Sequence, residues 1–151
     1  MKGEDVAMAN RMLLGSDQYL NEFQKKLNAD KEYAELAKAV DDSYTLVLQA
    51  EPEKGVAETI IAGFVIKAGK MTGMWKGERE TSFILSAPYG VWVDILLGKI
   101  GANRAFITRK LKIVGNMPRL LKTAKATDKL VELLRTVPTS FHGKYADQSF
   151  G

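Results

Sequence analysis

Two periods divide the chain. From Ser16 to Val40 apolar residues recur at helical spacing, first as Tyr19, Leu20, Phe23 and Leu27, then as Tyr33, Leu36, Ala37 and Val40. Ser16 or Asp17 can cap the first of these helices, Asn28 can end it, and Asp30 can cap the second. Met8, Met12, Leu13 and Leu14 hint at a short helix ahead of them. At Asp41 the period drops to two. Tyr44, Leu46, Leu48 and Ala50 then share one face of a strand, opposite Thr45, Val47 and Gln49. Glu51-Pro52-Glu53-Lys54-Gly55 is a polar turn. The second strand, Glu58 to Lys67, is apolar on both faces and reads as central. A third, Met71 to Lys76, and a fourth, Arg79 to Ala87, follow across glycine turns; the fourth sets Phe83, Leu85 and Ala87 against Ser82, Ile84 and Ser86. Such short connections predict antiparallel neighbours.

Helical spacing returns after Pro88, with Val91, Trp92, Ile95 and Leu96 on one stripe and Gly98 near the end. Phe106 and Ile107 belong to a short helical segment after Gly101. Leu111 and Ile113 mark a fifth strand, and the flanking Arg109, Lys110 and Lys112 suit a sheet edge. Asn116 caps a long last helix that tolerates Pro118 in its first turn. Its buried side is Met117, Leu120, Leu121, Ala124, Val131, Leu134 and Val137, broken by polar residues near Thr127 and stopped by Pro138. The aromatics beyond follow no period. The expected organisation is an N-terminal segment over 1–15, one domain over 16–137, and a loosely docked or mobile tail over 138–151.

Composition narrows the chemistry. A length of 151 residues suits a single domain, and 46% hydrophobic with 26% charged residues is ordinary for a globular one. Without cysteine there is no disulfide, thiolate metal site or thiol nucleophile. Apolar runs end well short of the ~20 residues that span a bilayer. Glu4 and Asp5 stand where a signal peptide needs a basic start, and the chain ends Gln-Ser-Phe-Gly rather than Ser-Lys-Leu, so a cytoplasmic location is expected. The net charge of +4 is uneven: residues 1–98 hold 11 Lys and Arg against 15 Asp and Glu, and residues 99–151 hold 11 against 3. A basic end attracts anionic partners, a membrane surface among them, or simply keeps the protein in solution.

No catalytic constellation accompanies this layout. His142 is the only histidine and falls in the tail, and no nucleophile-elbow pattern supports a Ser/His/Asp arrangement. Asp41-Asp42 opens a strand, and Glu51 with Glu53 lies in a turn, which suits solvated acids better than a carboxylate dyad. Gly69, Gly73 and Gly77 punctuate hairpins without forming a phosphate-binding pattern. Nucleic acid is disfavoured, since exposed aromatics do not interleave with the Lys and Arg of the basic third. No catalytic residue, metal or cofactor is expected. What stands out is the apolar inventory, which by itself reads as core filling.

One stretch carries more. From Tyr89 to Leu121, and above all in LLGKIGANRAF followed by KLKIVGNMPRLLK, the sequence resembles the sterol carrier protein type 2 family of lipid-transfer domains. The family-like positions are Leu97–Lys99, Ala105–Phe106 and Leu111–Met117, within a similarity running roughly from Phe23 to Leu134. The resemblance implies an α+β fold: a twisted, five-stranded, mostly antiparallel sheet with helices on one face and an apolar tunnel between the layers. Its wall would include Phe64, Ile66, Trp75, Phe83, Leu85, Trp92, Ile95, Leu96, Phe106, Met117, Leu120 and Leu121. Lys99, Arg104 and Lys110 would meet a head group at the mouth. The implied ligand is lipid-like: a fatty acid, acyl-CoA, phospholipid or sterol. A buried ~16-carbon chain offers roughly 12 kcal/mol before association costs are subtracted, so affinity needs no catalytic machinery. The implied roles are carriage or transfer of the lipid, or service as an accessory that presents a hydrophobic intermediate to a partner enzyme.

Overall fold

The computed structural model describes residues 11–147. Both caps at the front of the chain form. The Ser16 hydroxyl accepts from the Tyr19 N–H at 3.2 Å and opens α1 (Asp17–Ala29). The Asp30 carboxylate accepts from the Tyr33 N–H at 2.9 Å and opens α2 (Lys31–Leu36). Met12–Leu13, expected in a short helix, is instead a strand, β1; Met8 lies outside the described residues.

The main sheet has five strands: β2 (Asp41–Gln49), β3 (Ile60–Lys67), β4 (Lys70–Lys76), β5 (Phe83–Pro88) and β6 (Lys112–Val114). Their spatial order is β4-β3-β2-β5-β6, so β2 is central and the basic β6 is an edge. All neighbours are antiparallel except β2 and β5, which run parallel. The short link between β4 and β5 therefore does not make them neighbours. Residues 77–82 cross the outer face of the sheet, where the Thr45 and Thr81 hydroxyls meet at 2.8 Å and Thr45 becomes buried. With that face partly covered by a loop, the helices take the other one. They are α1, α2, α3 (Tyr89–Leu96), α4 (Ala102–Ile107), α5 (Met117–Lys122) and α6 (Ala124–Leu134).

A bulge sets which side chains of β4 reach the core. Ile66 pairs with Met71, but Val65 pairs with Gly73, leaving Thr72 as the extra residue. Met71 and Met74 both consequently join the helix side, and Trp75 turns to the outer face, opposite Gly63. The indole lies on Gly63 so closely that a Cβ there would sit 2.5 Å from the ring, and the Arg79 guanidinium stacks 4.6 Å from its centroid. Trp75 is thus corrected from tunnel wall to outer-face cover.

Two further expectations change. The last helix is two helices, because Thr123 leaves helical geometry (φ −109°, ψ 25°) between α5 and α6, whereas Thr127 sits within α6. The tail is also docked as far as Tyr145 rather than loose; its last residues, 148–151, lie outside the described residues. Thr139–Ser140 forms β7, parallel to β1, and Phe141 and Thr139 are buried. Glu51 anchors this end. Its Oε1 accepts from the Gly90 N–H at 2.7 Å, in the first turn of α3, where Pro88 supplies no capping side chain, and from the Tyr145 hydroxyl at 2.9 Å. Glu51 is therefore a structural acceptor, not a merely solvated turn residue.

The Tyr89 hydroxyl completes the anchor: it accepts from the His142 N–H at 2.9 Å and shares a hydrogen bond with His142 Nδ1 at 2.7 Å. Burial pushes the His142 pKa below the usual histidine range. This contribution to stability is full above the ordinary value of about 6.5 and is lost as pH falls through the lowered folded value. Tyr89→Phe should cost about 1–2 kcal/mol and leave that acid-side loss in place, because the burial that causes it remains, whereas His142→Gln should flatten it; urea unfolding at several pH values measures both. An undiminished acid-side loss in the His142→Gln protein would assign the titration elsewhere.

Candidate functional site

Between the helix-facing side of the sheet and its helices lies an apolar cavity of about 80 Å³. Tyr44 and Leu46 of β2, Phe64 of β3, Leu85 of β5 and Ile113 of β6 form its floor. Trp92 and Ile95 close one side from α3, and Ala126, Leu130 and Leu134 of α6 form the roof. Phe106 of α4 with Met117, Leu120 and Leu121 of α5 completes the rim. The cavity exists because β6 is only three residues long and α5 is a separate six-residue helix, so no continuous element presses on this end of the sheet. Trp92 is held in place by its indole N–H, which donates to the Val47 carbonyl at 2.9 Å.

The wall carries no charge. Its polar side chains are Tyr33, Tyr44, Asn103, Thr123 and Thr127. Burial pushes the Tyr44 phenol up to about 12 and raises Tyr33 further, so both stay neutral across the physiological range. A neutral, apolar, narrow site suits hydrocarbon and offers nothing for proton transfer or metal ligation. Among the described residues no group of acids or histidine could hold a metal ion.

Charge appears just outside, on the element that covers the cavity. Arg119 of α5 pairs with Asp42 of β2, a buried carboxylate, and its guanidinium also donates to the Asp41 carbonyl at 2.8 Å. Desolvation raises the Asp42 pKa above the usual aspartate range, and Arg119 opposes that rise. One end of α5 is thus pinned to the sheet. At the other, Leu121 is 65% exposed while still bordering the cavity.

Of the twelve wall residues expected from the sequence, eight border the cavity: Phe64, Leu85, Trp92, Ile95, Phe106, Met117, Leu120 and Leu121. Ile66, Phe83 and Leu96 are buried in the surrounding core and do not reach the wall, and Trp75 is on the far face. Lys99, Arg104 and Lys110 are exposed and do not line the cavity; Arg104 lies on α4 beside the lining residue Asn103, and Lys110 in the loop that follows. Tyr33, Tyr44 and Leu46 were legible as inward-facing positions but not as wall. Ala126 and Leu130 were missed because the expected break at Thr127 interrupted the stripe they belong to.

The sequence profile of the SCP-2 sterol transfer family matches residues 20–128, which hold the cavity's floor and all of its rim. The chain belongs to the SCP-2 sterol transfer family. This is a family of lipid-binding and lipid-transfer domains, and its fold is typically non-enzymatic. Solved SCP-2 structures share the architecture. A crystal structure of sterol carrier protein 2 superposes with a TM-score of 0.76 at 24% identity, covering 82% of this chain and 98% of its own. A conserved hypothetical protein of Thermus thermophilus, described as possibly a sterol carrier protein, gives 0.76 at 23% identity, covering 93% and 95%. A palmitated SCP-2-like protein of Aedes aegypti gives 0.53 at 12% identity, covering 83% and 97%. At these identities the structures establish the fold. No curated protein matches the sequence. No helix among the described residues is long and apolar enough to cross a membrane.

Proposed function

We propose that this SCP-2 domain binds a hydrophobic lipid-like chain in the cavity beneath α5 and carries it through water. The observation that supports this most directly is an uncharged apolar cavity at the junction of sheet, α5 and α6, within a family of lipid-transfer domains. Hydrocarbon burial supplies on the order of 0.8 kcal/mol per methylene, so no hydrogen bond is needed to hold it. The present volume of about 80 Å³ is well below the roughly 300–1,000 Å³ of pockets that enclose drug-sized ligands. A full acyl chain therefore requires α5 and α6 to move apart, and the break at Thr123 supplies the joint. The Aedes aegypti relative is described as palmitated, which makes palmitate the first ligand to try. Arg104 and Lys110, exposed beside the rim, are the candidates for meeting its carboxylate, with Lys99 beyond them.

Native mass spectrometry of the freshly purified protein should reveal a co-purified lipid. Ala126→Leu tests the location. The new side chain enters an existing void, so stability should change by less than about 1 kcal/mol, while fluorescent fatty-acid binding should fall at least about tenfold. Leu96→Trp, in packed core off the wall, should instead cost about 1–3 kcal/mol and leave affinity per folded molecule unchanged. Full binding by Ala126→Leu would remove the cavity from consideration.

A further inference from the structure

The rim of the cavity carries the most exposed large apolar side chains among the described residues, together with the sequence's densest positive charge. Ile107 at the end of α4 is 75% exposed and Leu121 of α5 is 65% exposed, and Phe106, which precedes Ile107 in α4, is 36% exposed. Phe106 and Leu121 both border the cavity, so this patch is its lip. Val114, also exposed, belongs elsewhere: it pairs with Ile84 and shares the outer face of the sheet with it. Residues 99–127, which build α4, β6, α5 and the start of α6, contain eight Lys and Arg and no Asp or Glu. Arg104, Arg109, Lys110, Lys122 and Lys125 are exposed, and none has an ion-pair partner among the described residues. Arg119 is committed to a carboxylate, Asp42.

We propose that this lip is a docking surface for anionic lipid bilayers, with Ile107 and Leu121 entering the headgroup region and the surrounding cations contacting lipid phosphates and carboxylates. Charge complementarity selects the occupant. A zwitterionic surface gives little attraction to a cluster of unpaired cations, whereas an anionic leaflet attracts each one within a Debye length. The apolar side chains add the short-range component that an interfacial surface needs. The segment that builds the lip carries no Asp or Glu of its own, and the carboxylate that meets it, Asp42, is held by Arg119, so the local field is positive and orients the approaching molecule lip first. Docking there would place the cavity mouth against the bilayer, where a hydrocarbon chain can pass without crossing water. In purpose the proposal rests on the carriage reading, but docking is measurable with no ligand present.

The test is vesicle flotation. The native protein should float with vesicles containing about a third phosphatidylserine and stay behind with pure phosphatidylcholine, and raising salt from about 0.1 M to about 0.5 M should release it. The triple variant Arg109→Gln, Lys122→Gln, Lys125→Gln should lower partitioning onto the acidic vesicles at least about tenfold. Ile107→Ser should lower it by about tenfold at constant charge. These four residues lie off the cavity wall, so both variants should keep native circular dichroism and native fatty-acid affinity in vesicle-free solution. Equal flotation on both vesicle types, no flotation of the native protein, or unchanged flotation of either variant would overturn the docking surface. Failure of the native protein to bind fatty acid while flotation holds would sink the carriage reading alone. The reverse result would sink docking alone.

Discussion

Phe64→Ala is expected to cost about 3–4 kcal/mol of folding stability, the largest loss among the substitutions considered. Phe64 is where the ring stack of the core branches. It meets Phe23 of α1 edge-on at 6.1 Å and Tyr44 stacked at 5.1 Å, and Tyr44 continues to Phe83 at 5.6 Å. Removing it takes a ring partner from both Phe23 and Tyr44, leaving Tyr44 only its stack with Phe83, and joins the new void to the existing cavity, which keeps the site from collapsing. Equilibrium urea unfolding gives the loss directly, provided the slope stays native. The enlarged cavity should also admit a bulkier hydrophobe than the native one does, so affinity for a branched fatty acid should rise relative to a straight one. A loss under about 1.5 kcal/mol would mean that Phe64 is not packed as its ring contacts require.

Arg119→Ala should come second, at about 2–3 kcal/mol near neutral pH. It leaves the Asp42 carboxylate buried and charged without its cation, and that uncompensated charge, rather than the lost attraction, is the main expense. The sign of the pH dependence follows. Burial raises the folded pKa of Asp42 above its unfolded value, so Asp42 alone makes the protein less stable as pH rises through that window. Arg119 offsets this only while Asp42 is ionised. The deficit of the variant should therefore shrink as pH falls through the raised Asp42 value and be smallest where Asp42 is protonated in both proteins. Asp42→Asn should restore much of the stability of the Arg119→Ala protein at neutral pH. Because the pair pins α5, both the single and the double variant should exchange α5 amide hydrogens faster than the native protein. A deficit that does not change with pH would place the cost in lost packing of the Arg119 stem instead.

Most of the elements and much of the inward-facing set were legible in the sequence, although Met12–Leu13 and the division of the last helix were not. Caps such as Ser16 and Asp30 are local hydrogen bonds, legible from residue type and spacing, and both formed. The period-two run through Tyr44, Leu46 and Leu48 fixed the inner face of the central strand, because side-chain alternation is a property of the strand alone. Family membership was likewise carried by a local stretch, the glycine-punctuated segment between α3 and α5. What local pattern could not fix was decided by long-range pairing. The bulge at Thr72 changes the phase of β4 midway, so Met71 and Met74 face inward together and Trp75 faces out, against strict alternation. The parallel pairing of β2 with β5 arose because residues 77–82 cross the sheet instead of folding back, which chain length does not foretell. The C-terminal segment looked loose because its anchors are remote: Glu51 holds Tyr145, and Tyr89 holds His142, across dozens of residues. The cavity is the extreme case. Apolar residues at core spacing carry the same pattern whether they fill a core or line a void, and the difference lies in how closely α5 and α6 approach the sheet.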